Sequence, residues 1–352
     1  MSRGSGMAAD IAEQPAGYAR LLESDHTGAI ASVAAAVAAR RPRHVVFVGR
    51  GTSDHAALYG AYLTEIRMGI PAGLASPSAI TLYGARPDLS GALVVGVSQS
   101  GGSPDLTGVL VAARDSGALT VVVTNNPASP LGEAAEFCVD VAAGHERAVA
   151  ATKTYTAELM ALLILVEGVR GGRDDGRLPE DERAALAGLP GLAEETLGGD
   201  GVEELAQRYR FASRMVTTGR GYAYPTARET ALKLMETSYL PALAFSGADL
   251  LHGPVAMADP DVPVLAVVGP GPGGRAMAEV VGRLGERRAD VVTVGAVDVP
   301  GAAGRLAVPS VDERYAPLLD ILPLQRLALS LALARGEDPD APRSLNKVTT
   351  TR

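Results

Sequence analysis

The chain has 352 residues, of which 47% are hydrophobic and 20% charged, and its formal net charge is −8. That mix supplies a packed core and excludes a disordered chain. The negative balance makes it a poor electrostatic partner for nucleic acid or anionic lipid, so any phosphate site must be built locally.

At roughly 100–200 residues per domain, the length suggests two domains. A single cysteine, Cys138 in EFCVDV, excludes an internal disulfide framework and predicts a buried apolar thiol. The opening MSRGSGMAAD lacks the apolar centre of a secretory leader. No apolar run is expected to reach the ~18 residues of a membrane span. These features read as a soluble, cytoplasmic protein with no membrane or nucleic-acid partner.

Along the chain, HVVFVG (44–49), ALVVGV (92–97) and TVVVTN (120–125) have the apolar, β-branched character of strands buried on both faces. Between them, the stretches 54–69 and 104–117 carry helical periodicity and end at glycine. Alternation of this kind predicts an α/β fold with a parallel sheet flanked by helices.

The scheme is then written again. GRG stands at 49–51 and at 219–221, each after a strand-like run and before a helix-like one. PVLAVVG (263–269) answers LVVGVSQ (93–99), and DVVTVGA (290–296) answers TVVVTNN (120–126). This is the signature of a tandem duplication. The predicted layout is an N-terminal segment 1–30, a first domain 31–170, a linker 171–200, a second domain 201–340 and a tail 341–352.

The stretch SQSGGSPDL (98–106) carries the first functional signal. Ser103-Pro104-Asp105 reads as a helix start, with a Ser N-cap, Pro at the first helical position and an acid in the first turn. Before it lie the hydroxyls of Ser98, Ser100 and Ser103, the amide of Gln99 and two glycines that let a ligand approach the backbone N–H groups. Free N–H groups and the positive end of a helix dipole form an anion site that needs no cationic side chain, and a phosphate monoester fits it. An ordinary polar turn fits the same residues.

Other phosphate motifs fare worse. No GxxxxGK[ST] is present, and GPGPGG (269–274) satisfies GxGxxG only formally, because its prolines remove N–H donors. The turn GRGTSD (49–54) adds the hydroxyls of Thr52 and Ser53. The five histidines, His26, His44, His55, His145 and His252, form no HxH or HExxH pair, so no metal and no cofactor are expected. His55, beside Asp54, fits a substrate-proximal or capping place.

Seven stretches in order carry a family resemblance: DIAEQP (10–15), GRGTSDHAALYGAYLTE (49–65), SQSGGSPDL (98–106), ERAVAATKTYTAEL (146–159), ETALKLMETSY (229–239), LLHGPVAM (250–257) and PRSLNKV (342–348). The chain resembles the tandem sugar-isomerase (SIS) domain proteins. Within them it is similar to the SIS-type glucosamine-6-phosphate deaminases and to the isomerase half of glutamine–fructose-6-phosphate aminotransferase. The resemblance implies two SIS domains, each a parallel flavodoxin-like sheet. It implies that Gly51, Thr52, Ser53, Ser98, Gln99, Ser100 and Ser103, with Val149, Ala150 and Lys233, bind a sugar phosphate.

The same resemblance implies that Glu236 moves a proton between sugar carbons 1 and 2, as aldose–ketose interconversion requires. Lys233 would contact substrate or pair with Glu236 at i,i+3. His252 would assist ring opening in the neighbouring subunit of a homodimer, and Lys347 would assist ring opening or form an imine. The corresponding elbow of the second repeat lacks hydroxyls, which implies one phosphate site per chain.

The departures bear on the reaction. With only Cys138 the chain is not expected to hydrolyse glutamine itself. Ala151 stands where the aminotransferase pattern has a sugar-contacting serine, and GSPD replaces its Glu-Thr form. The expected activity is deamination of glucosamine-6-phosphate to fructose-6-phosphate and ammonia. The alternatives are a deaminase, deglycase or isomerase of another sugar phosphate, such as galactosamine-6-phosphate or fructosamine-6-phosphate, and a non-catalytic phosphosugar-binding regulator.

Overall fold

A computed structural model describes residues 2–171 and 175–347. The chain divides into two compact units. The first is Gln14–Glu146 with Lys153–Pro190 and Asn346–Arg352; the second is Met1–Glu13 with Arg147–Thr152 and Gly191–Leu345.

The first unit holds a five-stranded sheet of β1 (His44–Val48), β2 (Ala72–Leu74), β3 (Ala92–Ser98), β4 (Leu119–Thr124) and β5 (Phe137–Asp140). The second holds β6 (Met215–Gly219), β7 (Ala242–Ser246), β8 (Val264–Val267), β9 (Val291–Gly295) and β10 (Gly304–Ala307). The orders are β2-β1-β3-β4-β5 and β10-β9-β8-β6-β7, the same 2-1-3-4-5 winding when each unit is counted from its own first strand. Every pairing is parallel. Two tandem domains of flavodoxin-like winding are therefore what the chain folds into.

The central strands bury both faces. All seven residues of β3 and all six of β4 are buried, as are all of β6, β8 and β9. In the first unit Val94, Val109, Leu110, Val122 and Leu131 form one core cluster. In the second, Val216, Val264, Met277, Val280 and Leu284 do the same. The tight turns repeat as well. A Cβ on Gly49 would lie 2.6 Å from the Ser53 carbonyl oxygen, and one on Gly219 would lie 2.4 Å from that of Ala223. Both positions exclude any other residue for the same reason: the strand folds straight back into a helix.

Three expectations are corrected. Cys138 is exposed, because β5 alternates and turns Val139 inward instead. The helix Ala316–Ala334 has 19 residues and is apolar enough to span a membrane by length and composition, yet 78% of it is buried in the fold, where it packs on the helices Ala223–Ser238 and Val202–Tyr209. The helix expected over 54–69 starts at Thr52, runs as α-helix to Leu63 and finishes as a π-helical turn, Thr64–Met68, closed by Gly69 at φ 65°.

Candidate functional site

In a sheet wound 2-1-3-4-5, the crevice lies beyond the carboxyl ends of the two strands where the winding reverses. In the first unit these are β1 and β3. The chain leaves β1 through Gly49-Arg50-Gly51, with Gly51 at φ 55°, and enters the helix Thr52–Leu63. It leaves β3 through Ser98–Ser103 into the helix Pro104–Asp115. Gly51, Thr52, Ser98, Gln99, Ser100 and Ser103 are thereby brought to the same end of one sheet.

The elbow after β3 is folded by its own polar groups. Ser98 Oγ accepts from Gly101 N–H at 3.0 Å and Ser100 Oγ from Gly102 N–H at 3.3 Å. Asn126 Nδ2 donates to the Ser100 carbonyl at 3.2 Å, and the Gly101 carbonyl accepts from Leu131 N–H at 3.2 Å. Gly101 sits at φ 63°, and a Cβ there would lie 1.9 Å from Ser129 Oγ. A hydroxyl that accepts from a backbone N–H still keeps its own proton to donate. Ser98 and Ser100 are thus held as donors. Ser103 occupies the N-cap position, as its sequence context predicts, but its hydroxyl makes no cap hydrogen bond. Ser53 differs: it is buried, and its Oγ donates to the buried Glu158 at 2.8 Å.

A cation stands here that the elbow's own sequence does not contain. Arg50, from the β1 turn, places Nε 2.8 Å and Nη2 2.7 Å from Asp105 Oδ2. The pair joins the two turns that carry the candidate hydroxyls. The acid in the first helical turn is legible as a helix-start signal; its partner, 55 residues earlier, is not.

The matching elbow of the second unit is filled from within. Glu313 Oε1 accepts from Gly273 N–H at 2.8 Å, in the first turn of the helix Gly271–Glu286. A Cβ on Gly271 would lie 2.2 Å from the Glu313 carboxylate. Burial raises the Glu313 pKa, and the Gly273 N–H opposes that rise. Beneath the loop, Asp320 Oδ2 is buried without a hydrogen-bond partner and stands 3.6 Å from where a Gly269 Cβ would be. Carboxylate, not hydroxyl, lines this second loop.

The helix Ala223–Ser238 presents a charged triad on one face, because residues three and four apart are neighbours on a helix. Lys233 is fully buried, with Nζ 2.5 Å from Glu236 Oε2 and 3.3 Å from Glu229 Oε1. Burial disfavours the ammonium, but the two carboxylates outweigh it and hold its pKa above the ordinary lysine value. Lys233 therefore stays charged and keeps a cation beside Glu236, whose side chain is 22% exposed. Of the three, Glu236 is the carboxylate that reaches the surface of the helix. Glu229, fully buried one turn before Lys233, completes the triad.

The remaining candidates lie on loops. His252 follows the short helix Gly247–Leu251 and is exposed. Val149 is partly buried and Ala150 buried, in the segment 147–152 of the second unit. Lys347 is exposed in the tail that groups with the first unit.

The profile of the SIS domain matches residues 40–168 and 209–334. A glutamine–fructose-6-phosphate aminotransferase (isomerizing) of Gloeobacter violaceus is 36% identical over 356 residues, covering 98% of this chain and 58% of its own. The chain thus spans little more than half the length of that relative. A crystal structure from Silicibacter pomeroyi DSS-3, described there as a candidate phosphosugar isomerase, is 34% identical, with a TM-score of 0.85 over 95% of this chain and 99% of its own. The C-terminal domain of glucosamine-fructose-6-phosphate aminotransferase from Francisella tularensis is 25% identical at the same TM-score, covering 97% of this chain and 100% of its own.

Proposed function

The chain belongs to the SIS domain family, and from that premise we propose that it is a sugar-phosphate isomerase-type enzyme whose reaction is deamination of glucosamine-6-phosphate. The observation that carries the reading is the Glu229–Lys233–Glu236 triad, a fully buried ammonium held against a partly exposed carboxylate. A phosphosugar-binding regulator would bind its ligand without needing that carboxylate, which is why turnover by wild type and its dependence on Glu236 separate the two readings.

In this reading the first-unit elbow grips the phosphate. Thr52, Ser98, Ser100 and Ser103 donate hydroxyl protons to its oxygens, Gln99 donates its amide, and the helix starting at Pro104 supplies positive potential. The second elbow takes no phosphate because the Glu313 carboxylate already occupies it. His252, exposed at the surface of its own unit, serves the neighbouring subunit of a homodimer in ring opening, and Lys347 assists there.

The open-chain substrate has an aldehyde at carbon 1 and an amine at carbon 2. Glu236 removes the carbon-2 proton and returns it to carbon 1 while one proton passes from the amine nitrogen to the carbon-1 oxygen, so that the aldehyde becomes an alcohol and the amine a ketimine. Water adds to the imine carbon and ammonia leaves, giving fructose-6-phosphate. The charged Lys233 steadies the Glu236 carboxylate through the cycle. Aminotransferases of the family are named for glutamine chemistry; this chain would release, or in reverse accept, free ammonia in the cytoplasm.

A second enzymatic reading keeps the chemistry and changes the sugar. Ala151, buried in the segment 147–152, offers no hydroxyl toward a ligand, so galactosamine-6-phosphate or fructosamine-6-phosphate are competing substrates. Ammonia release by the purified chain across these three sugar phosphates decides the matter. The expected result is release from glucosamine-6-phosphate, reduced about a hundredfold or more by Glu236→Gln. No release from it, or undiminished release by the variant, overturns the assignment.

A further inference from the structure

The stretch DIAEQP near the start of the chain takes no part in that chemistry, yet Asp10 and Gln14 are buried, and Asp10, Glu13 and Gln14 each hold a polar partner. Asp10 is completely buried at the end of the helix Ser5–Ala12. Its Oδ2 accepts from the backbone N–H of Arg147 at 2.6 Å and of Ala148 at 3.0 Å, and its Oδ1 accepts from Arg147 Nη1 at 2.8 Å. Glu13, one turn on, pairs with Arg147 Nη2 at 2.6 Å. The other end of the same helix is held too: Gly6 and Met7 N–H both donate to the Asp340 carboxylate at 2.8 Å.

The partner of Asp10 is the start of the segment Arg147–Thr152, which has no regular secondary structure. At its other end, Gln325 Nε2 donates to the Thr152 carbonyl at 3.2 Å. The segment is therefore fastened at both ends, and Val149, Ala150 and Ala151 lie between the fastenings. A carboxylate that is fully buried and receives two adjacent backbone donors and a guanidinium is a strong fixing point, since charge-assisted hydrogen bonds are about twice as strong as neutral ones.

We infer that Asp10 is a positioning residue for the segment 147–152, which carries the expected sugar contacts Val149 and Ala150, setting affinity for the carbohydrate part of the ligand and leaving the phosphate grip untouched. The inference rests on the proposed sugar-phosphate function. Its mechanism is geometric: Asp10 accepts both N–H groups on the amino side of Val149, so the path of the backbone into Val149 and Ala150 is fixed at that end by a side chain from the N-terminal helix.

The test is titration calorimetry on the full chain with fructose-6-phosphate and with inorganic phosphate, comparing wild type with Asp10→Asn. The expected result is a fall of about tenfold in the ratio of sugar-phosphate to phosphate affinity, as for loss of one charge-assisted bond. Inorganic phosphate affinity should stay within about threefold, and Asp10→Glu, which restores the carboxylate, should recover part of the ratio. An unchanged ratio in a folded Asp10→Asn variant overturns the inference, as does an equal loss for both ligands. Amide hydrogen exchange on wild type gives a readout that no variant's folding can spoil: fructose-6-phosphate, but not inorganic phosphate, should slow exchange at Arg147 and Ala148, and equal protection by both overturns the proposal. Failure of the function itself looks different, being absence of turnover by wild type with the affinity ratio and its dependence on Asp10 intact.

Discussion

Arg50 meets Asp105 with two nitrogens on a single oxygen, Nε at 2.8 Å and Nη2 at 2.7 Å from Oδ2. The carboxylate side chain is 1% exposed and the guanidinium 47% exposed, so the bond ties a surface cation to a buried anion at the head of the helix Pro104–Asp115. Its effect is to hold the β1 turn against the β3 elbow. Arg50→Ala should loosen both and weaken inorganic phosphate binding about tenfold, which corresponds to ~1.4 kcal/mol. Calorimetric titration of phosphate checks this. An unaltered dissociation constant would mean that the elbow keeps its shape without the pair.

The elbow also depends on a glycine. Gly101 lies at φ 63°, and its carbonyl and N–H are both in use. Gly101→Ala places a methyl group against Ser129 Oγ and demands a left-handed backbone from alanine. The expected outcome is a loss of about 1–3 kcal/mol in stability with loss of detectable phosphate binding, read by thermal unfolding with and without phosphate. A variant that gains the usual stabilisation from phosphate would show that the ligand binds elsewhere.

The charged triad separates chemistry from stability. Glu236→Gln keeps the shape of the side chain but cannot carry the proton, and turnover should fall by about 10²–10⁴ with a smaller loss of stability than removal of Lys233, since Glu229 still faces the ammonium. Lys233→Met removes the ammonium that faces the fully buried Glu229 at 3.3 Å. Breaking a buried pair by removing one partner costs about 3–5 kcal/mol, so denaturant unfolding should show a large loss. A Lys233→Met chain as stable as wild type would show that the buried ion pair contributes nothing net to the fold.

How much of this was legible follows from the range of the interactions. The central strands β1, β3, β4, β8 and β9 are continuous apolar runs, and the helices after β1 and β3 run out at Gly69 and Gly117, so local pattern alone locates them. The short edge strands β2, β5 and β10 have no such run: AGL and GRLA pair only because a neighbour offers its edge. Cys138 was misplaced for the same reason, since an edge strand turns alternate residues to solvent. In the site, the elbow hydroxyls and the Lys233–Glu236 spacing are local patterns. Arg50 with Asp105, Asp10 with Arg147, and Glu313 with Gly273 span 40 residues or more, and no local pattern announces them.

Asp320 offers a test of the second elbow through pH. Its carboxyl is buried, Oδ2 has no hydrogen-bond partner, and burial alone pushes its pKa well above the carboxylate range. In the unfolded chain it titrates near its ordinary value of about 4. Above that pH the unfolded state gives up a proton that the folded state retains, so the stability contribution is complete at acid pH and declines as pH rises toward the folded pKa. Glu313, also raised by burial, adds a dependence of the same sign. Asp320→Asn replaces the acid with a neutral group of similar shape and removes one of the two contributions. The variant should match wild type near about pH 4, exceed it in unfolding free energy near about pH 8, and show a flatter profile between them. Urea unfolding across this range measures the difference directly. If the variant were less stable than wild type at the alkaline end, Asp320 would be ionised in the fold, and the loop above it would hold a cation rather than exclude an anion.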